Sequence, residues 1–364
     1  IENRLRAARG VLESALAERK AISGVEAFFD DFPGGGISQS LPGFFNPLSD
    51  VQNEPDDRAI RAVAISIGDS LASTLRGTRR DLFELGLDLN EQIRVTAGEG
   101  DRLAKEIAEL NTEIAAVEAG GSGQANALRD RRDALLRELS EIFDVIIREQ
   151  PSGAINVYIG SEPLIQSGST RGITTSDEVD GEFVRTVVRF RDTNARINVA
   201  GGMIEGHILA RDQQAFARMQ ELDDLASAII TEVNRLHADG QGLTPLRSVL
   251  GTESVADPDA PLNSVAAGLR NPPVDGSFYI TVADDATGTP VAYRIDVDLD
   301  GAGADTSLND LIAAINGQVS GVTATLTADQ RLSLTADQGF SFSFGHDGEQ
   351  FRADSSQALA GLGV

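Results

Sequence analysis

The stretch "RLAKEIAELNTEIAAVEAGGSGQANALRDRRDALLRELSEIF", residues 102–143, decides the fold. Leu103, Ile107, Leu110, Ile114 and Val117 step alternately by four and three. That spacing is a heptad seam, which forms where one helix packs along another. "AGGSGQ" at 119–124 ends the helix, because glycine and serine favour turns. Leu128, Leu135, Leu139 and Ile142 then resume a helical stripe, so a second helix returns antiparallel over about 124–143.

Upstream, Glu54, Pro55, Asp56 and Asp57 put proline and acids in a first helical turn. The spacing predicts one helix from about Asp56 to Ala119, on the order of 90 Å long if unbroken. Val63, Ile67, Leu71, Leu75, Leu82, Leu85, Leu89 and Ile93 continue its face, and Gly86 and Gly98 are places where it can bend. Residues 1–20 read as a helix with Leu5, Ala8, Leu12 and Leu16 as its packed stripe. Between these helices, "FFDDFPGGGISQSLPGFFNP" is dense in glycine and proline and reads as a loop over 28–55. Its Phe28, Phe29, Phe32, Phe44 and Phe45 are placed to pin that loop on a helix, and Phe28, Phe29, Phe44 and Phe45 are also candidates for an interface.

The period changes at 144. "VIIREQPSGAINVYIG" alternates apolar and polar residues around a Pro-Ser-Gly turn, and "EFVRTVVRFRD" adds a strand, so 144–200 is a β insertion. Helical period returns over 203–238 through Ile204, Ile208, Phe216, Met219, Leu222, Leu225, Ile229, Val233 and Leu236, until Gly240 and Gly242 stop it. A proline-rich linker is expected over 244–273. Residues 274–364 are rich in strand patterns, with one helix at 306–318. The expected fold is α+β and multidomain: a long antiparallel helical bundle with a β-hairpin insertion (1–243), a linker, and a separate β-rich α+β domain (274–364).

A net charge of −25 over 364 residues argues against nucleic acid and anionic membrane surfaces as partners. The absence of cysteine excludes disulfides and thiolate chemistry. No apolar run reaches the ~18–20 residues that span a bilayer, and no signal peptide is visible. The chain opens on Ile1 and reads as a fragment of a longer protein.

Asp296, Asp298, Asp300 and Gly301 resemble the opening of a calcium loop. Counting from Asp296, Ser307 falls where the bidentate glutamate belongs. Tyr293, Ile295, Val297 and Leu299 alternate with Arg294 and the aspartates, so the expectation is a strand with one wet face, followed by a helix capped by Thr306 or Ser307. His207, His237 and His346 have no second ligand four residues on, and His207 reads as an exposed residue at a helix start. No glycine-rich piece matches a phosphate-binding loop. Arg129 and Asp133 are spaced for a helical ion pair. No catalytic residue, metal ligand or cofactor is expected, and the chain reads as a protein that assembles. Rival readings are a secreted enzyme with an adhesive β domain and a calcium-stabilised extracellular adhesin.

Several stretches together resemble the flagellar hook-associated protein 1 family, which forms the hook–filament junction. "GGGISQSLPGFFNPLSDVQNEPDDRAIRAVAI" carries the F-F-x-x-L pattern and later proline through Phe44, Phe45, Leu48 and Pro55. "IAELNTEI" and "LRDRRDALLRELS" follow in order, through Asn111, Asp130, Arg132, Asp133 and Ser140. "LDDLASAIITEVNRLHADGQGL" supplies Asn234, His237 and Gly240. The likeness covers about residues 1–243. The tail resembles a strand–strand–helix motif of flagellar axial proteins that ends in Ala314, Ile315 and Asn316, where the aspartates are solvated. The resemblance implies a structural adaptor, outside the cell on the flagellum and exported through the flagellar type III apparatus. Its implied partners are a ring of copies of itself, the hook protein, hook-associated protein 3 and an export chaperone. It also implies that polymerising terminal helices are missing, so the fragment alone is expected to be monomeric.

Overall fold

The computed structural model describes residues 2–29, 36–119, 125–238, 240, 244–345 and 350–364. They form two compact units, Ile1–Asp224 and Leu225–Val364.

The first unit is organised by helix α3, Arg58–Glu118. Asp57 caps it by accepting from the Ala59 and Ile60 amides at 2.7 and 3.3 Å, which satisfies two otherwise orphaned donors. Leu103, Ile107, Leu110 and Ile114 of the seam are all buried, and α4, Asn126–Ile142, packs against α3. The expected Arg129–Asp133 pair does not form. Arg129 instead reaches Glu118 and Glu149 at 2.6 and 2.8 Å, and the Glu118 carboxylate, 7% exposed, needs that countercharge more than a solvated one would.

Helix α1, Glu2–Phe29, is longer than expected and packs on a different face. Leu12 and Leu16 are 54% and 46% exposed, whereas Gly10, Ser14, Ala21 and Val25 are buried. Small residues let α1 approach helix α5, Gly202–Leu209, very closely. A Cβ on Gly206 would meet the Ser14 carbonyl oxygen at 2.3 Å. Close contact along the small-residue face therefore leaves Leu12 and Leu16 at the surface.

The expected loop at 28–55 holds a helix, α2, Ile37–Asn53, with Pro42 and Pro47 inside it. Ile37, Phe44 and Pro47 are buried, and packing against α3 outweighs the propensity cost of the prolines.

Strands β1 (Val145–Glu149), β2 (Ile155–Ile159), β3 (Glu162–Gln166) and β4 (Ser169–Thr170) form one antiparallel sheet in sequence order. The β1–β2 turn sits at the expected Pro-Ser-Gly, with Gly153 at φ 78°. Strands β5 (Ile173–Asp180) and β6 (Phe183–Phe190) form a separate hairpin against α3. After α5 the helix continues through a π-helical stretch, Ala210–Phe216, into α6, Ala217–Ala238.

In the second unit, β7 (Ser248–Leu250), β10 (Val322–Leu326) and β11 (Leu332–Ala336) make one sheet, in the order β10-β11-β7. Strands β8 (Gly276–Asp284), β9 (Pro290–Val297) and β12 (Phe340–Phe344) make another, in the order β12-β8-β9. The stretch 244–273, expected as a linker, is folded into this unit. It supplies β7 and buries Val255, Leu262 and Ala267 in the unit's core. Helix α7, Leu308–Gln318, starts at Ser307, which forms a reciprocal capping box with Asp310. A short helix α8, Ala358–Leu362, closes the described chain.

Candidate functional site along α3

Among the buried polar residues of helix α3, Asn90, Asp101 and Asn111 each fasten a different piece of β structure. Asn111 donates to the Ile155 and Ser167 carbonyls at 2.9 and 2.6 Å and accepts from the Ile155 amide at 3.1 Å. Its Oδ1 also accepts from Arg132 on α4 at 3.1 Å, and Arg132 donates onward to the Gly153 carbonyl at 2.8 Å. Arg132 is 3% exposed, and burial lowers its pKa from the ordinary guanidinium value. The β1–β2 turn, α3 and α4 are thus tied at one point.

Asn90 repeats the device on β6. It donates to the Val184 carbonyl at 2.6 Å and accepts from the Thr186 amide at 2.9 Å. The buried Arg211 donates to Asn90 Oδ1 at 2.9 Å and to the Thr186 carbonyl at 2.8 Å. Between these anchors, Asp101 accepts from the Ile173 amide, Lys105 and Arg191, each at 2.8 Å. Burial pushes its carboxyl up, but Lys105, the Ile173 amide and Arg191 together hold it below the usual range.

Of the residues singled out in the sequence, Asn111 and Arg132 meet directly. Asp133 is half-buried on α4, and Asp130 is exposed there. Phe44 is buried against α3, its ring 3.4 Å from where a Cβ on Gly68 would stand. Phe45 stacks edge-on with it at 5.3 Å and is 51% exposed. Phe28 and Phe29 fall in the last turn of α1, but their side chains, like Phe32, lie outside the described residues. Asn316 exchanges two hydrogen bonds with the Ala324 backbone, 2.8 and 2.7 Å, and so pins the end of α7 to β10. Asn234 is exposed on α6. The sequence reading missed Asn90 and Arg211. The available signal was an amide inside an apolar helical face, directly after Leu89.

His207 is buried, not exposed, and its Nδ1 has no hydrogen-bond partner. Burial, and then Lys20, pull its pKa below the ordinary imidazole value. His346 lies outside the described residues. Of the aspartates, only Asp296 stands on β9, where it pairs with Arg294 at 2.8 Å. The strand ends at Val297, and Asp298 and Asp300 belong to the turn that follows, because the Thr306 hydroxyl and amide fold the chain back onto Asp298. Carboxylate oxygens of Asp298, Asp300 and Asp305 lie within 4.8 Å of one another. Asp300 and Asp305 accept turn amides from Ala302 and Gly301 at 2.7 and 3.0 Å, so two of the three carboxylates are engaged by the turn itself. Among the described residues, no helix is long and apolar enough to cross a membrane.

The model of the family described as the flagellar hook-associated protein FlgK helical domain matches residues 22–248, over half of the chain. The chain belongs to the FlgK family. A second model, the flagellin hook IN motif, matches residues 277–338, which include β8, β9, α7 and the Asn316 contact. The chain is 26% identical over 247 residues to flagellar hook-associated protein 1 of Salmonella typhimurium, covering 66% of this chain and 44% of that protein. It is 28% identical over 134 residues to the Bacillus subtilis protein of the same description, covering 37% of this chain and 26% of that one. The chain therefore spans less than half the length of these curated relatives. In fold, it is similar to a solved structure of the flagellar hook junction protein FlgK from Burkholderia pseudomallei, with a TM-score of 0.59 at 19% identity, covering 99% of this chain and 65% of that one.

Proposed function

We propose that this FlgK-family chain is a structural part of the bacterial flagellum, outside the cell, at the junction between hook and filament. It performs no catalysis. The observation that carries this reading is the helical-domain match, which takes in α2, α3, both asparagine anchors and the β pieces they hold. A part that passes load between two polymers must keep its shape, and a long helix tied to its neighbours by buried hydrogen bonds supplies that stiffness.

The proposed partners are further copies in a ring, the hook protein, hook-associated protein 3 on the filament side, and an export chaperone. The half-exposed Phe45 on α2, beside the packed Phe44, supports α2 and the start of α3 as a contact surface. Asn234 on α6 is proposed as a structural residue of the second unit, where it stands near Asn271 and Gly361.

Deleting the gene in its host and imaging negatively stained cells tests the reading. Hooks without filaments, with flagellin shed into the medium, are expected. Normal flagella on motile cells would sink it.

A further inference from the structure

The π-helical stretch Ala210–Phe216 joins α5 to α6, and its geometry answers a mismatch between two helices. Arg211 and Phe216 both plug into α3, Arg211 onto Asn90 and Phe216 into the notch at Gly86. A Cβ on Gly86 would stand 2.2 Å from the Phe216 ring, so the notch exists only because residue 86 is glycine. Phe216 also stacks on Phe183 at 4.4 Å. In an α-helix, residues five apart point about 140° away from each other. The wider π turn, which bonds i to i+5, brings them to one side. Ala210 and Ala215 are buried as the same kind of pair.

The sequence also holds a second solution. Ile204, Ile208, Arg211, Ala215, Met219 and Leu222 recur by four and three, the spacing of one face of an unbroken α-helix. That register leaves Phe216 outside the face. One chain segment thus satisfies two helical registers, distinguished by whether Phe216 occupies the Gly86 notch.

We propose that Ala210–Phe216 is a two-register joint. Seating Phe216 holds the π form, and withdrawing it lets the helix relax to α geometry. The relaxation turns α6 about its axis by roughly one residue, ~100° with a ~1.5 Å rise. The first turns of α6, which bury Met219 and Leu222 in the core of the first unit, are the part of the helix that this turn moves against α3. This inference concerns the chain's own conformations and stands apart from the junction reading.

Cysteine is absent, so spin labels attach only where cysteines are placed. Labels at the exposed Asp69 and Gln220 report α3 against the first turn of α6 by pulsed electron resonance. The unaltered chain is expected to give one dominant distance. Gly86→Ala, which fills the notch, and the milder Phe216→Leu, which shortens the plug, are each expected to add a second distance. Deleting Gln213 removes the spare residue and spaces Arg211 and Phe216 as an α-helix does. In that background, Phe216→Leu is expected to add nothing. A folded Phe216→Leu chain that keeps the single original distance overturns the proposal. So does a second distance that survives deletion of Gln213, since the motion is then not a change of register.

Discussion

Asn90 and Asn111 lie a whole number of heptads apart on α3, and each presents its amide to the backbone of a different β element while an arginine donates to its Oδ1. The repeat places both on one side of the helix. A buried amide with donor and acceptor both satisfied by backbone specifies register, because sliding the strand by one residue would leave both unpaired.

Asn111→Ala removes partners from the Ile155 amide, two carbonyls and Arg132 at once. It should cost about 2–4 kcal/mol in urea unfolding, the range expected when buried polar groups lose their partners. Arg132→Met should cost less, since it removes the buried charge along with its need for partners. A double-mutant cycle should show coupling of about 0.5–3 kcal/mol, and strict additivity would mean the two residues act independently.

The seam itself rests on packing. Leu103→Ala, at a position with 0% exposure, should lower stability by about 2–5 kcal/mol by the same measurement. Leu12→Ala, on the exposed stripe of α1, should stay within about 0.5 kcal/mol in this chain.

Two groups shape the acid side of the pH response. Asp101 is held below the ordinary carboxylate range when folded, so its contribution is present above the unfolded value and is lost as pH falls through the folded one. His207 is also depressed when folded. Below about pH 6.5 the unfolded chain takes up a proton that the folded chain resists, so stability falls as pH drops from there. His207→Leu should flatten the urea midpoint between about pH 7 and 5, and an unchanged slope would clear His207 of the effect.

Asn316→Ala leaves the buried Ala324 amide without its acceptor and should cost about 1–3 kcal/mol. Asp298→Ala should change stability by no more than about 0.5 kcal/mol. Calcium is expected to leave the melting temperature of the parent chain alone. A rise that disappears in Asp298→Ala would show that the aspartate turn binds the ion.

Phe45→Asp should leave the melting temperature of this chain close to the parent's, because the ring is already half in water. Introduced into the intact protein in its host, it should reduce filament attachment. Full attachment would remove Phe45 from the contact surface.

The heptad seam from Leu103 to Ile114, the helix entry near Asp56, the β1–β2 turn and the strand–strand–helix order of the tail were all legible, because each is a local pattern whose period or turn chemistry names its element; Val117, expected to end the seam, is 42% exposed, and Asp57 caps the helix rather than joining its first turn. Helix α2 was not, since Pro42 and Pro47 speak for a loop and only the α3 surface overrides them. On α1 the stripe was visible but its meaning was not. A leucine face and a small-residue face are both helical, and the partner helix chooses between them.

The kinds of element, their order and the family likeness follow from residues that act within a turn or two of their neighbours. That Asn90 and Asn111 are anchors, and that Arg211 and Phe216 share a face against α3, came from packing alone. Those outcomes depend on groups far apart along the chain meeting inside a core, where a polar atom must find a partner and a ring must find a glycine.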